Sequence, residues 1–168
     1  MKKTSPEKPK TRAHVVDPRW SHPVEESDHT WSAPEGYVIV GREHQGGPGG
    51  NTRYRYARLM LAGRELTVRD VRWSRPFTEA DGVPHVAPDD HVLVGREHIG
   101  DGSGTTRHQY ARLMAGTMAC SVTPGEWSAE LTEEWGVYRA PADGVLLGRR
   151  CVEGGKIRSR YLPGTVEA

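Results

Sequence analysis

Two cysteines, one phenylalanine and no long apolar run are the scarcities that constrain this chain first. Two thiols cannot build a disulfide framework. Cys120 and Cys151 are expected as small free thiols, with a bridge between them as the alternative. Hydrophobic residues make up only 35% of the 168, so the core must be thin and rest on Trp, Tyr, Val and Leu. No stretch is apolar enough to span a bilayer, and residues 1–12 are basic and Pro-bearing without an apolar segment, unlike a secretory signal. The expectation is a cytoplasmic chain, with non-classical export of a trimmed form as the alternative. A net charge of +1 gives no long-range pull toward nucleic acid. Lysine is almost confined to the first ten residues, and the remaining cations are arginine.

Glycine and proline, by contrast, are plentiful at 20 and 12 residues, which suits an all-β protein with many turns. The sequence also repeats. Val38-Ile39-Val40-Gly41-Arg42-Glu43-His44 returns as Val92-Leu93-Val94-Gly95-Arg96-Glu97-His98 and as Val145-Leu146-Leu147-Gly148-Arg149-Arg150-Cys151. Tyr56-Ala57-Arg58-Leu59 returns as Tyr110-Ala111-Arg112-Leu113, and Trp20-Ser21, Trp73-Ser74 and Trp127-Ser128 keep the same step. A period of about 53 residues means that each unit is one supersecondary element needing its neighbours to bury a face.

Each unit reads as four short strands. The Val-rich run is a strand. A Gly-rich connection (46–51 or 100–104) turns it into an antiparallel partner carrying Tyr56 or Tyr110. A third strand runs through 65–68 or 119–122 to a turn at Arg69-Asp70 or Thr123-Pro124-Gly125. A fourth is expected to begin at each Trp-Ser pair and to lead through a loop to Ala-Pro. The last unit ends too early, while His14–Trp20 aligns without a gap with Thr67–Trp73. The expected architecture is therefore all-β: three pseudo-repeats closed by the N-terminal strand, so that no edge of an open stack is left exposed. A β-trefoil is preferred over a β-prism. Residues 13–168 form the single domain and residues 1–12 a flexible basic arm.

Catalysis is disfavoured, and the chain is read as non-enzymatic. Glu43 and His44 point to opposite faces of a strand and cannot form a dyad, and the third unit carries Arg150 and Cys151 instead. A zinc set of His44, His98 and Cys151 has acceptable ligand types but requires three strand ends to converge. A calcium loop at 100–104 lacks an acidic counterpart in the first unit. No metal and no cofactor is expected. Arg53, Arg55 and Arg58 alternate with Tyr54 and Tyr56 as in nucleic-acid surfaces, yet period two splits them between faces, and nucleic acid is not an expected partner.

The layout fits carbohydrate, a glycoconjugate or another small polar ligand better. Sugars offer hydroxyls and C–H faces, so a site wants a ring for stacking and charged groups for fixed hydrogen bonds. Trp31, His85 and Tyr138 occupy the same place, two residues before each Ala-Pro pair. With the repeated Arg42, Arg96 and Arg149 and with His44 and His98, they are the candidate ligand-binding residues. The alternative for the rings is packing under their own loops. The alternative for the arginines is pairing with acids across strands. A second functional class is an adaptor or structural subunit that binds a protein partner through the repeats or the N-terminal arm.

Three such units, from Ala13 to Tyr161, resemble the three-repeat lectins of the β-trefoil and β-prism families. The run Val94-Gly95-Arg96-Glu97-His98 before a Gly-bearing turn is similar to the DM9 repeat of mannose-binding lectins. The resemblance implies carbohydrate recognition at up to three equivalent sites without a cofactor. The Gln-x-Trp signature of ricin-type trefoils and the Gln-x-Asp-x-Asn-x-Val-x-Tyr signature of monocot prism lectins are both absent, so no site residue carries over.

Overall fold

A computed structural model describes residues 9–101, 103–152 and 158–168; the expected arm lies mostly outside these, in residues 1–8. Among the described residues the protein is all-β, with sixteen strands and two short 3-10 turns at Gly47–Gly49 and Glu79–Asp81. The first five strands are β1 (His14–Trp20), β2 (Val24–Glu25), β3 (Asp28–Ser32), β4 (Val38–Gln45) and β5 (Asn51–Leu61). Then come β6 (Arg64–Glu65), β7 (Thr67–Trp73), β8 (His85–Val86), β9 (His91–Ile99) and β10 (Thr105–Ala115). The last are β11 (Met118–Ala119), β12 (Ser121–Pro124), β13 (Leu131–Thr132), β14 (Trp135–Arg139), β15 (Val145–Val152) and β16 (Arg158–Glu167).

They form three separate curled sheets, each built on one long hairpin: β4–β5, β9–β10 or β15–β16. Against the second strand of each hairpin lies the segment that leads to the repeated Trp, namely β1, β7 or β12. Against the first strand lies a segment from the preceding repeat: β3 joins β9, β8 joins β15, and β14 joins β4. Every sheet therefore contains chain from two repeats, so each repeat depends on a neighbour to complete its sheet. The first and last described segments meet as well. Thr11 and Ala168 exchange backbone hydrogen bonds of 2.9 and 3.0 Å, and the Ala13 amide donates to Val166 at 2.8 Å. Leu66 to Leu59 and Cys120 to Leu113 are the same contact in the other two repeats, each at 2.9 Å.

Three local features differ from the sequence-based expectation. Strands end rather than begin at Trp20 and Trp73, because the Ser that follows turns the chain. Its hydroxyl donates to the next residue's carbonyl and accepts the amide of Tyr54, His108 or Tyr161 at 2.9–3.0 Å. Arg69-Asp70 is not a turn but a bulge inside β7, with Asp70 at φ 54; Asp17 does the same in β1 at φ 52. Trp31, His85 and Tyr138 sit on strands β3, β8 and β14 rather than in loops.

The first strand of each hairpin is also bulged, at Ile39/Gly41, Leu93/Gly95 and Leu146/Gly148. Val38 and Val40 enter the main core with Ala57, Leu59 and their counterparts, and the extra residue shifts the alternation beyond them so that Arg42 emerges on the side of Ile39. Ile39, Leu93 and Leu146 join Tyr54, Tyr138 and Tyr161 in a second cluster. Cys120 is buried in the main core and Cys151 is half-buried; both thiols are free. The repeated Gly41, Gly95 and Gly148 have a steric cause. A Cβ there would lie 2.5, 2.7 or 2.6 Å from the backbone oxygen of Tyr138, Trp31 or His85, where the strand from the neighbouring repeat crosses.

Candidate functional site

The repeated arginines leave β4, β9 and β15 pointing inward and are almost wholly buried. Each lies between two carboxylates. Arg42 contacts Glu26 and Glu133, both at 3.1 Å. Arg96 contacts Glu26 at 2.7 Å and Glu79 at 2.5 Å. Arg149 contacts Glu133 at 2.5 Å and also Glu79. The six side chains alternate in sign around a closed ring, and three of its six links, Arg42–Glu133, Arg96–Glu26 and Arg149–Glu79, join groups from different repeats. Thr52, Thr106 and Ser159 donate a hydroxyl to Glu26, Glu79 and Glu133 respectively. Tyr161 and Tyr54 hydroxyls accept from Arg42 at 2.8 Å and Arg96 at 3.1 Å.

Burial by itself would raise the Glu26 carboxyl, but Arg96 and Arg42 more than reverse this and hold it far below the usual carboxylate range. The same acids keep the Arg42 and Arg96 guanidinium groups charged against their own desolvation. Such a ring fixes which hairpin meets which; it does not present open donors to a ligand.

His44 and His98 sit beside the ring, also buried. His44 Nε2 donates to the Gly47 carbonyl at 2.5 Å and Nδ1 lies 2.8 Å from Thr52 Oγ1. His98 repeats this with Asp101 at 2.9 Å and Thr106 at 2.6 Å. Desolvation first, and the nearby arginine second, push both imidazoles below their ordinary pKa. Each ring nitrogen thus has a neighbour that ties the hairpin tip to the strand. Among the described residues no three His, Cys, Asp or Glu side chains are grouped to hold a metal.

The candidate rings are placed in the clefts between adjacent sheets. In the first cleft Trp31 stacks on Tyr54, with centroids 4.7 Å apart and planes at 17°. In the third, Tyr138 stacks on Tyr161 at 4.6 Å and 9°. The second cleft has smaller rings at both positions, His85 and His108. Phe77, standing where the other repeats have Val24 and Leu131, fills part of the difference: it stacks on His85 at 3.7 Å and meets His108 edge-on at 4.9 Å. What remains is an open cleft of about 350 Å³, bounded by Phe77, His85, His108, Tyr110, Arg75 and Pro84. His108 is buried, and burial first, then the Arg96 charge, lowers its pKa to about 3. It therefore faces the cleft as a neutral imidazole.

Of the residues singled out from sequence, only His85 lines this cleft; Trp31 and Tyr138 close the equivalent ones, and the Arg and His residues of the repeated motif lie inside. Sequence reasoning missed Phe77, His108 and Tyr110, and the three glutamates of the ring. The glutamates had a signal, since each stands six residues after a repeated Trp: Trp20/Glu26, Trp73/Glu79 and Trp127/Glu133.

Compared with models of known protein families, with curated proteins and with solved structures, the chain matches none.

Proposed function

We propose that the chain is a non-enzymatic, lectin-like module that binds a carbohydrate or another small polar ligand in the cleft between its second and third sheets. The observation that carries this reading is the contrast between equivalent positions. The first and third clefts are filled by stacked pairs of large rings, and the second is opened by His85 and His108. An aromatic wall with the exposed cation of Arg75 at its rim and the buried, neutral His108 imidazole behind it suits a ligand that has both C–H faces and hydroxyls. A non-enzymatic role is supported by the state of the remaining polar groups, because the buried carboxylates are each bound by two guanidinium groups. One open cleft predicts one site per chain rather than three.

The finer architecture belongs to the same reading. We take the three sheets as a pseudo-threefold, prism-like arrangement closed on itself, in preference to a trefoil. Its support is the shared strand order β1-β5-β4-β14, with its two counterparts, and the return of β14 to β4. The test of function is a glycan array followed by titration of the best ligand into the intact chain. Binding with one-to-one stoichiometry that is lost on substituting Phe77 and His85 is the expected result. No bound glycan, or binding indifferent to both substitutions, overturns the proposal.

A further inference from the structure

Each sheet ends in a strand borrowed from another repeat, and these outer edges are not alike. At equivalent places stand Asp28, Thr30 and Ser32 along β3, Gly82, Pro84 and Val86 at β8, and Trp135, Val137 and Arg139 along β14. The first two edges are blunted against pairing. Thr30 is tied to Glu97 at 2.9 Å and Ser32 to Gln109 at 2.7 Å, beside the charge of Asp28. Pro84 has no amide to donate, and the Gly82 carbonyl already accepts from Arg150 at 3.2 Å.

The β14 edge carries none of these devices. Trp135 is 76% exposed and Val137 46%, the former being the most exposed large apolar side chain of the described residues. Glu134 and Ala140 use their backbone groups toward the β4 side, through Gly46 and Val40. By strand alternation the amide and carbonyl of Trp135, Val137 and Arg139 point to the open edge. Arg139 has no carboxylate partner among the described residues, and lies beside Arg55 and over Trp20, 5.8 Å from its ring centroid.

We infer that this edge pairs antiparallel with the same strand of a second copy of the chain, with Val137 on the twofold axis. The patch is self-complementary, as an isologous contact must be. Antiparallel pairing about Val137 sets Val137 against its own copy and Trp135 against Arg139 of the other chain on one sheet face. That gives a valine pair flanked by two cation–π pairs, while the three opposed residue pairs exchange backbone hydrogen bonds. A two-chain sheet contact of five-residue strands is small, so the dimer is weak and concentration-dependent. It does not depend on what the cleft binds.

Sedimentation velocity on the full chain from about 1 µM to about 1 mM tests it. The expected result is a mass rising from monomer toward dimer. Val137→Pro, which places at this edge what Pro84 already places at its counterpart, is expected to remain monomeric throughout with an unchanged melting temperature. Arg139→Glu is expected to weaken the dimer about tenfold. A wild-type chain that stays monomeric overturns the inference, as does a dimer that persists in folded Val137→Pro. If that variant does not fold, Trp135→Ala and Arg139→Glu decide the matter, and unchanged dimerisation in both overturns it. A monomeric chain that instead captures a peptide with two apolar residues and an acid at alternate positions would reassign the edge to a heterologous partner.

Discussion

Arg96 donates to Glu26 at 2.7 Å across seventy residues of sequence, joining β9 to the turn between β2 and β3. Every one of the six ring members has such a distant partner, through Arg42–Glu133, Arg96–Glu26 and Arg149–Glu79, so the ring forms only once all three hairpins are in place. Its energetic signature follows from burial. Removing one member leaves others charged and short of a partner in a site that water does not reach. Arg96→Met is expected to cost about 3–5 kcal/mol, a large share of the roughly 5–15 kcal/mol typical of a domain. Adding Glu26→Gln to that variant is expected to cost less than the sum of the two single changes. Urea denaturation of the single and double variants measures both, and strict additivity would show that Arg96 and Glu26 are not energetically coupled.

How much of this was written in the sequence depends on the range of the interaction. The hairpins were legible because strand residues and Gly-rich turns are local signals. Arg42, Arg96 and Arg149 were legible as a repeated cation, with acids as one reading of their partners. The partners themselves were not identified, because Glu26, Glu79 and Glu133 sit among unlike neighbours and only their spacing from Trp recurs. The bulges leave only a recurrent glycine beside them, Gly41, Gly95 or Gly148, and plain period-two alternation sets Arg42 on the face of Val38 and Val40 rather than of Ile39. The ring-bearing set Trp31, His85 and Tyr138 was visible, but what each ring covers depends on β3, β8 and β14 joining the next sheet, which period and composition do not encode.

Acid should destabilise the fold in two stages. Burial is the largest cause lowering His29, to a pKa of about 4, and His108, to about 3, both from an ordinary 6.5. A histidine whose folded pKa lies below its unfolded one is protonated first in the unfolded chain. Its stabilisation is therefore complete above about pH 6.5 and declines as pH falls toward the folded value, by on the order of 2 kcal/mol each at pH 5. Glu26 acts in the same direction in a lower window, its stabilisation being lost only as pH falls below about 4.5. Denaturant midpoints measured from pH 8 to pH 4 should fall in this order. In His108→Tyr, which installs the side chain found at the equivalent positions, the slope between pH 6.5 and 5 should be shallower; an unaltered slope would remove His108 from this account.

The crossing of β3 over β9 predicts that Gly95→Ala is destabilising although alanine is small. The added carbon would stand 2.7 Å from the Trp31 carbonyl oxygen and 2.5 Å from Gln109 Oε1. The glutamine can swing away, but the carbonyl is held in the β3–β9 ladder, so the strands must part. A loss of about 1–3 kcal/mol is expected, as for other overpacked positions. Gly63→Ala, where nothing lies within 4 Å, has no such clash; its cost comes only from the backbone at φ 78. Thermal melts of the two variants separate crowding from backbone strain, and equal losses would argue against the crossing as the reason for Gly95.

The cleft offers the sharpest test of equivalence between repeats. Phe77→Val, His85→Trp and His108→Tyr together rebuild in the second cleft the residues of the first, where Val24, Trp31 and Tyr54 occupy the same places. If the repeats are interchangeable at this level, the indole should lie flat on the new tyrosine as Trp31 does on Tyr54, closing the cleft of about 350 Å³. Stability should then be kept or raised by about 1–2 kcal/mol, since the large rings are buried without displacing a packed neighbour. Ligand binding should vanish in the same variant. Because it remains folded, loss of binding cannot be attributed to collapse of the domain. A triple variant that melts normally and still binds would place the ligand elsewhere on the protein, leaving Phe77, His85 and His108 as packing residues.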